Sequence, residues 1–125
     1  MKISVAITPE AIEFAQGQPA RHCGSVAEFR GIVRGEENGR AIEALEYAAY
    51  QPMAEREMER LIEELTPEFP CEEIRVIHRI GIIPVGDAAI YIQIFSRHRT
   101  EAFGMLASFM DRFKQDVPIW KARPL

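Results

Sequence analysis

The chain has 125 residues, 47% of them apolar and 27% charged, with a formal net charge of −4. That is the balance of one domain that buries a core, not of a disordered or fibrous chain. No apolar run approaches the roughly 20 residues of a spanning helix, the start lacks the apolar stretch of a signal peptide, and the acidic balance argues against nucleic acid, so a cytoplasmic protein that binds neither membrane nor nucleic acid is expected.

Residues 2–7 predict a strand. Thr8-Pro9-Glu10 reads as a helix start, with Thr as N-cap and Pro in the first turn, for a short helix that stops near Gly17. Residues 24–34 alternate in part and predict a second strand. Asn38-Gly39 is a hairpin signal, with residues 41–50 as the returning strand. The clearest helix covers residues 52–66, where Ala54, Met58, Leu61, Ile62 and Leu65 line one face and Glu and Arg the other. A strand over 73–80 places Ile74, Val76, His78 and Ile80 on one face, a turn runs from Gly81 to Asp87, and residues 88–96 form a further strand. The last helix is expected from about Thr100 to Gln115, with Phe103, Leu106, Met110 and Phe113 as its buried stripe. Pro118 prevents continuation, so residues 117–121 emerge extended. The expected architecture is α+β, a single domain over residues 1–125 with an antiparallel sheet and three helices.

The charge is unevenly spread. Residues 1–90 hold nine Lys or Arg against 16 Asp or Glu, whereas residues 91–125 hold six against three. The basic last third is a place for an anionic ligand. Of the 15 basic residues 12 are Arg, and two of the three Lys, Lys114 and Lys121, lie in that third. Lys can give up its proton near other cations and Arg cannot, so these two are candidates for amine chemistry. Arg97-His98-Arg99, where a strand opens onto a helix N-terminus capped by Thr100, suits a phosphate. Cys23 and Cys71 lack metal-ligand spacing and read as small core residues. His78 reads as a satisfied core histidine, and no metal or nucleotide motif is present, so no cofactor is expected.

Several short motifs carry a resemblance. Phe29-Arg30-Gly31-Ile32-Val33-Arg34 with Asn38-Gly39, then Leu45-Glu46-Tyr47 and Tyr50-x-x-Met53-Ala54, are similar to the large, catalytic subunit of molybdopterin synthase, the MoaE family. So are Val76-Ile77-His78-Arg79-Ile80-Gly81, Pro84-x-Gly86, Ser96-x-His98-Arg99-x-x-Ala102-Phe103 and Pro118-x-Trp120-Lys121, all in family order from about residue 20 to 121. The resemblance implies an α/β-hammerhead fold and a homodimer within a heterotetramer. Each chain would bind a small ubiquitin-like subunit of the MoaD type, whose C-terminal Gly-Gly thiocarboxylate donates sulfur. The substrate would be cyclic pyranopterin monophosphate, and two sulfur transfers would make the dithiolene of molybdopterin. By motif, Arg34, His98, Arg99, Lys114 and Lys121 would form the pocket, Lys114 being the main catalytic residue with Lys121 beside it. Arg123 is a further cation within reach of substrate. The chain departs from the family pattern at Ala48, at Arg97 and in the run Ala122-Arg123-Pro124. The residues also fit a second class, a non-catalytic α+β module that binds a small anion or a partner's tail.

Overall fold

The computed structural model describes residues 1–14 and 17–125. Its elements are β1 (Lys2–Thr8), β2 (Ser25–Ile32), β3 (Glu36–Glu37), β4 (Arg40–Ala41), β5 (Ala44–Ala49), α1 (Met53–Leu65), β6 (Glu73–Arg79), β7 (Gly81–Pro84), β8 (Ala88–Ser96), α2 (Arg99–Asp116) and β9 (Ile119–Pro124). The main sheet runs β1-β6-β8-β2 and a second sheet runs β7-β5-β9, with β3 and β4 forming a small ribbon. All pairs are antiparallel except β1 with β6. That parallel pair follows from the connection, since half the chain, α1 included, lies between the two strands.

Both helices pack on one face of the main sheet. Met58, Leu61 and Ile62 of α1 and Met105 and Phe109 of α2 meet Ile74, Val76, Ile92 and Ile94, all but fully buried. Each such side chain contributes about 1.5–3 kcal/mol by leaving water. The buried face of α1 is the one its periodicity predicts. In α2 the buried stripe is instead Ala102, Met105, Phe109 and Phe113, and Phe103 is exposed. The helix is apolar on two sides. The bulkier stripe of Phe103, Leu106 and Met110 faces a groove shared with Phe29, while small Ala102 lets the backbone approach the sheet.

Among the described residues there are two helices, not three. Residues 9–14 and 17 are not helical, and residues 15 and 16 of that expected helix lie outside the described residues. The Thr8 hydroxyl oxygen accepts from the Glu10 amide at 3.1 Å, which closes a local turn. The segment instead covers the second face of the sheet, with Phe14 edge-on to Tyr91 at 5.0 Å and the Arg30 guanidinium 3.6 Å above the Phe14 ring.

Asn38 and Gly39 do turn a hairpin, both with positive φ (52° and 77°), but it joins only β3 and β4. The strand that follows leaves β2 and pairs with β7 and β9, because Leu45 buries into a separate small core with Val33, Ile83 and Ala89. Part of the expected turn over Gly81–Asp87 is therefore strand β7. Cys71 is buried and Cys23 half-buried, both as free thiols. No helix among the described residues is long and apolar enough to cross a membrane.

Candidate active site

A cavity of about 440 Å³ opens where β5, β6 and β9 meet the C-terminal end of α2. Four of its twelve lining residues carry rings, Tyr47, His78, Phe113 and Trp120, beside aliphatic Ile32, Ile90 and Ile119. The rings brace one another, His78 lying parallel to Phe113 (5.8 Å, 9°) and Tyr47 meeting His78 edge to face at 5.2 Å.

Lys114 and Lys121 both line this cavity. Lys114 stands in the last turn of α2, where the helix dipole favours a cation. Val117 then adopts extended backbone and Pro118 ends the helix, which turns the chain directly into β9. Lys121 follows in β9, opposite Tyr47 of β5. Seven residues of chain thus wrap the cavity and return a second ammonium to it. The Lys121 ammonium donates to both carboxylate oxygens of Glu37, at 3.1 and 3.4 Å, so the β3–β4 ribbon is tied across to β9. Tyr47 sits among these groups. Burial raises its hydroxyl above the ordinary phenol range, Lys121 opposes the rise and Glu37 adds to it.

His78 is buried, as its place on an apolar face predicts, and its Nδ1 is 2.7 Å from the Arg79 carbonyl oxygen. Burial lowers its pKa to about 4 against the raising effect of that hydrogen bond, so the imidazole is neutral near pH 7. Cys71 is not part of the cavity lining, and burial pushes its thiol up to about 11.

The other expected residues lie elsewhere in the chain. Arg34 is exposed at the foot of the ribbon that carries Glu37 and lines a separate open depression with Asn38 and Gly39. His98 is the residue before α2 and Arg99 its first, both exposed; the N-cap is thus His98, not Thr100. Lys114 follows His98 by 16 positions, which along a helix is about 24 Å. One chain therefore does not bring His98 and Arg99 to the cavity that holds its own Lys114 and Lys121. Arg123 donates to Glu46 at 2.7 Å. The pairing shifts register between Glu46 and Tyr47, opposite Arg123 and Lys121 respectively. Ala122 is the extra residue of that bulge, so Arg123 points to the opposite side of the sheet from Lys121.

Sequence reasoning did not place Tyr47, Glu37 or Trp120 at the site. The pairing of β5 with β9 sets Tyr47 opposite Lys121, and no local signal in the sequence announces that pairing.

The family model for MoaE protein matches residues 4–116. The molybdopterin synthase catalytic subunit of Pyrococcus abyssi is 37% identical over 123 residues, covering 96% of this chain and 83% of that one. The human molybdopterin synthase catalytic subunit is 37% identical over 99 residues, 79% of this chain and 53% of the human one; the chain spans about half the length of the mammalian relatives it matches. The crystal structure of molybdopterin synthase from Staphylococcus aureus superposes with a TM-score of 0.87 at 34% identity, over 95% of this chain and 88% of that one. The fold also matches a complex of subunits 1 and 2 of molybdopterin-converting factor from Helicobacter pylori, at TM-score 0.68 and 24% identity over 81% of this chain and 66% of that one. With the two-helix fold and the paired lysines at one aromatic cavity already described, these matches place the chain in the MoaE family.

Proposed function

We propose that this chain is the catalytic subunit of a molybdopterin synthase. It would transfer sulfur from the C-terminal thiocarboxylate of a small ubiquitin-like partner to cyclic pyranopterin monophosphate. The observation that carries this is the convergence of Lys114 and Lys121 on one aromatic-walled cavity. Aromatic walls suit a flat heterocycle, and two ammonium groups suit an anionic substrate and an acyl terminus. Sulfur arrives from outside in this reading: neither Cys23 nor Cys71 lines the cavity, and Cys71 is buried with its thiol protonated at neutral pH. A tail ending in two glycines can thread where side chains would clash. Lys114 then serves as the proton-transfer group or nucleophile while the acyl carbon–sulfur bond breaks, and Lys121 positions anionic groups. The assembly is cytoplasmic.

His98, Arg99 and Arg34 hold the phosphate end of the substrate, with His98 and Arg99 supplied by a second copy of the chain. The face formed by β2 and α2 exposes Phe29, Ile32 and Phe103. A two-fold axis through the middle of that face sets the partner's α2 antiparallel to this one. The start of one helix then lies beside the end of the other, and the missing cations reach the Lys114 cavity.

Two measurements test this. The protein mixed with a thiocarboxylated small subunit and the cyclic pterin should form molybdopterin, and failure to do so refutes the activity. Lys114→Ala and Arg99→Ala chains, each strongly impaired alone at pterin concentrations well below those that saturate Arg99→Ala, should complement when unfolded together and refolded. Half of the dimers are then mixed, and each has one site with both residues intact, which gives roughly a quarter of parental activity. No recovery would place both residues in the same protomer's site.

A further inference from the structure

His78 is only 3% exposed, yet it lines the cavity that holds the two lysines. A carbonyl oxygen only accepts, so the 2.7 Å contact with Arg79 means that Nδ1 carries the proton. In a neutral ring Nε2 is then a bare acceptor. It has no hydrogen-bond partner among the described residues. The ring cannot swing away, being held by Phe113 on one side and Tyr47 on the other. As ammonium groups Lys114 and Lys121 offer donors only, so in that state they serve the anionic parts of a ligand and not its N–H groups. His78 supplies the complementary group, deep in the wall, and its low pKa keeps it an acceptor at working pH.

We propose that His78 Nε2 accepts a hydrogen bond from a ring N–H of the pterin and so fixes which edge of the substrate enters the cavity. The inference rests on the sulfur-transfer reading above and assigns the orientation of its substrate. His78 is thus a specificity-determining residue: it distinguishes a heterocycle with an N–H donor from anions that satisfy the lysines alone.

The test uses protein labelled with ¹⁵N-histidine. Cyclic pyranopterin monophosphate and, separately, inorganic phosphate are titrated in, and the Nε2 resonance of His78 is followed. Pterin affinity is measured by calorimetry for the parent, H78F and H78Q. The pterin should move the Nε2 resonance upfield, and phosphate should leave it in place. H78F keeps an aromatic ring but no acceptor, and should bind the pterin about tenfold more weakly, the worth of one hydrogen bond. H78Q, whose amide oxygen can approach the position of Nε2, should recover most of that loss. Both variants should bind the small subunit as the parent does. Saturation of the parent by pterin with an unmoved Nε2 resonance overturns the proposal, whether or not H78F folds, and so does parental pterin affinity in H78F. A parent that forms molybdopterin while His78 stays silent refutes this inference alone. A parent that binds no pterin refutes the sulfur-transfer reading with it.

Discussion

Lowering the pH from 7.5 to 5 should weaken the fold by about 2 kcal/mol through His78 alone. In the folded chain its pKa lies at about 4, held down by burial, against roughly 6.5 for an unfolded histidine. The unfolded chain therefore takes up a proton first as the pH falls, and that uptake favours unfolding. The contribution of His78 to stability is fully present above about pH 6.5, declines as pH drops and is lost by about pH 4. The separation of about 2.5 pH units corresponds to about 3 kcal/mol in full, of which about 2 kcal/mol has gone by pH 5. At 3% exposure the ring is screened little by solvent. Glu57 and Glu64, held below the usual carboxylate range by hydrogen bonds from Arg60 and Arg112, lose their contribution only at lower pH, outside this window. Urea unfolding at the two pH values should show the parental midpoint falling by about 1 M, taking a typical m of about 2 kcal/mol/M. The same pair of curves for His78→Phe should nearly coincide, since the variant has no imidazole in the core for the unfolded chain to protonate first. If the parental midpoint does not move, or the variant falls in parallel with it, His78 does not stay neutral in the fold and the argument fails.

Lys114→Arg should lose nearly as much turnover as Lys114→Ala, about 10²–10⁴-fold in single-turnover formation of molybdopterin, because Arg keeps the charge but cannot give up a proton. Lys121→Arg should be milder, and a Lys114→Arg protein with near-parental rate would reduce Lys114 to a charge. Arg99→Ala should weaken pterin binding by about 1.5–3 kcal/mol, measured by calorimetry, the range for a charge-assisted hydrogen bond; unchanged affinity would leave the phosphate to Arg34 and His98. Gly104→Ala should lower the thermal midpoint, although Ala favours a helix over Gly by about 1 kcal/mol. The added methyl falls onto the Phe69 ring, and such overpacking costs about 1–3 kcal/mol. A raised midpoint would show that Phe69 moves aside freely.

Local patterns in the sequence carried the parts of the fold that are decided locally. The face of α1 is legible because Glu and Arg oppose one continuous apolar stripe. The phase of α2 is not, because Phe103, Leu106 and Met110 form a second apolar stripe that serves a groove instead of the core. Thr8-Pro9 starts no helix among the described residues because Phe14 is drawn onto Tyr91, a long-range contact that no local signal announces. The paired lysines stand out against a background of Arg, and both line one cavity. The separation of His98 from Lys114 was written in the helix length all along, but its meaning depends on α2 being straight and unbroken over 18 residues. Arg123 is two residues from Lys121, and simple alternation puts both on one face; the bulge at Ala122 reverses that, and bulges leave no mark in a sequence of this composition.

The contact between Lys121 and Glu37 makes the resting site its own competitor. An internal carboxylate already occupies the ammonium, supplied by a ribbon of four residues hinged at Asn38 and Gly39. An incoming anion must exchange with it, so one charge is neutralised before binding and another is set free after it. Stray small anions gain little from such an exchange. A ligand anchored elsewhere gains by comparison, because its local concentration at Lys121 is high while that of Glu37 stays fixed.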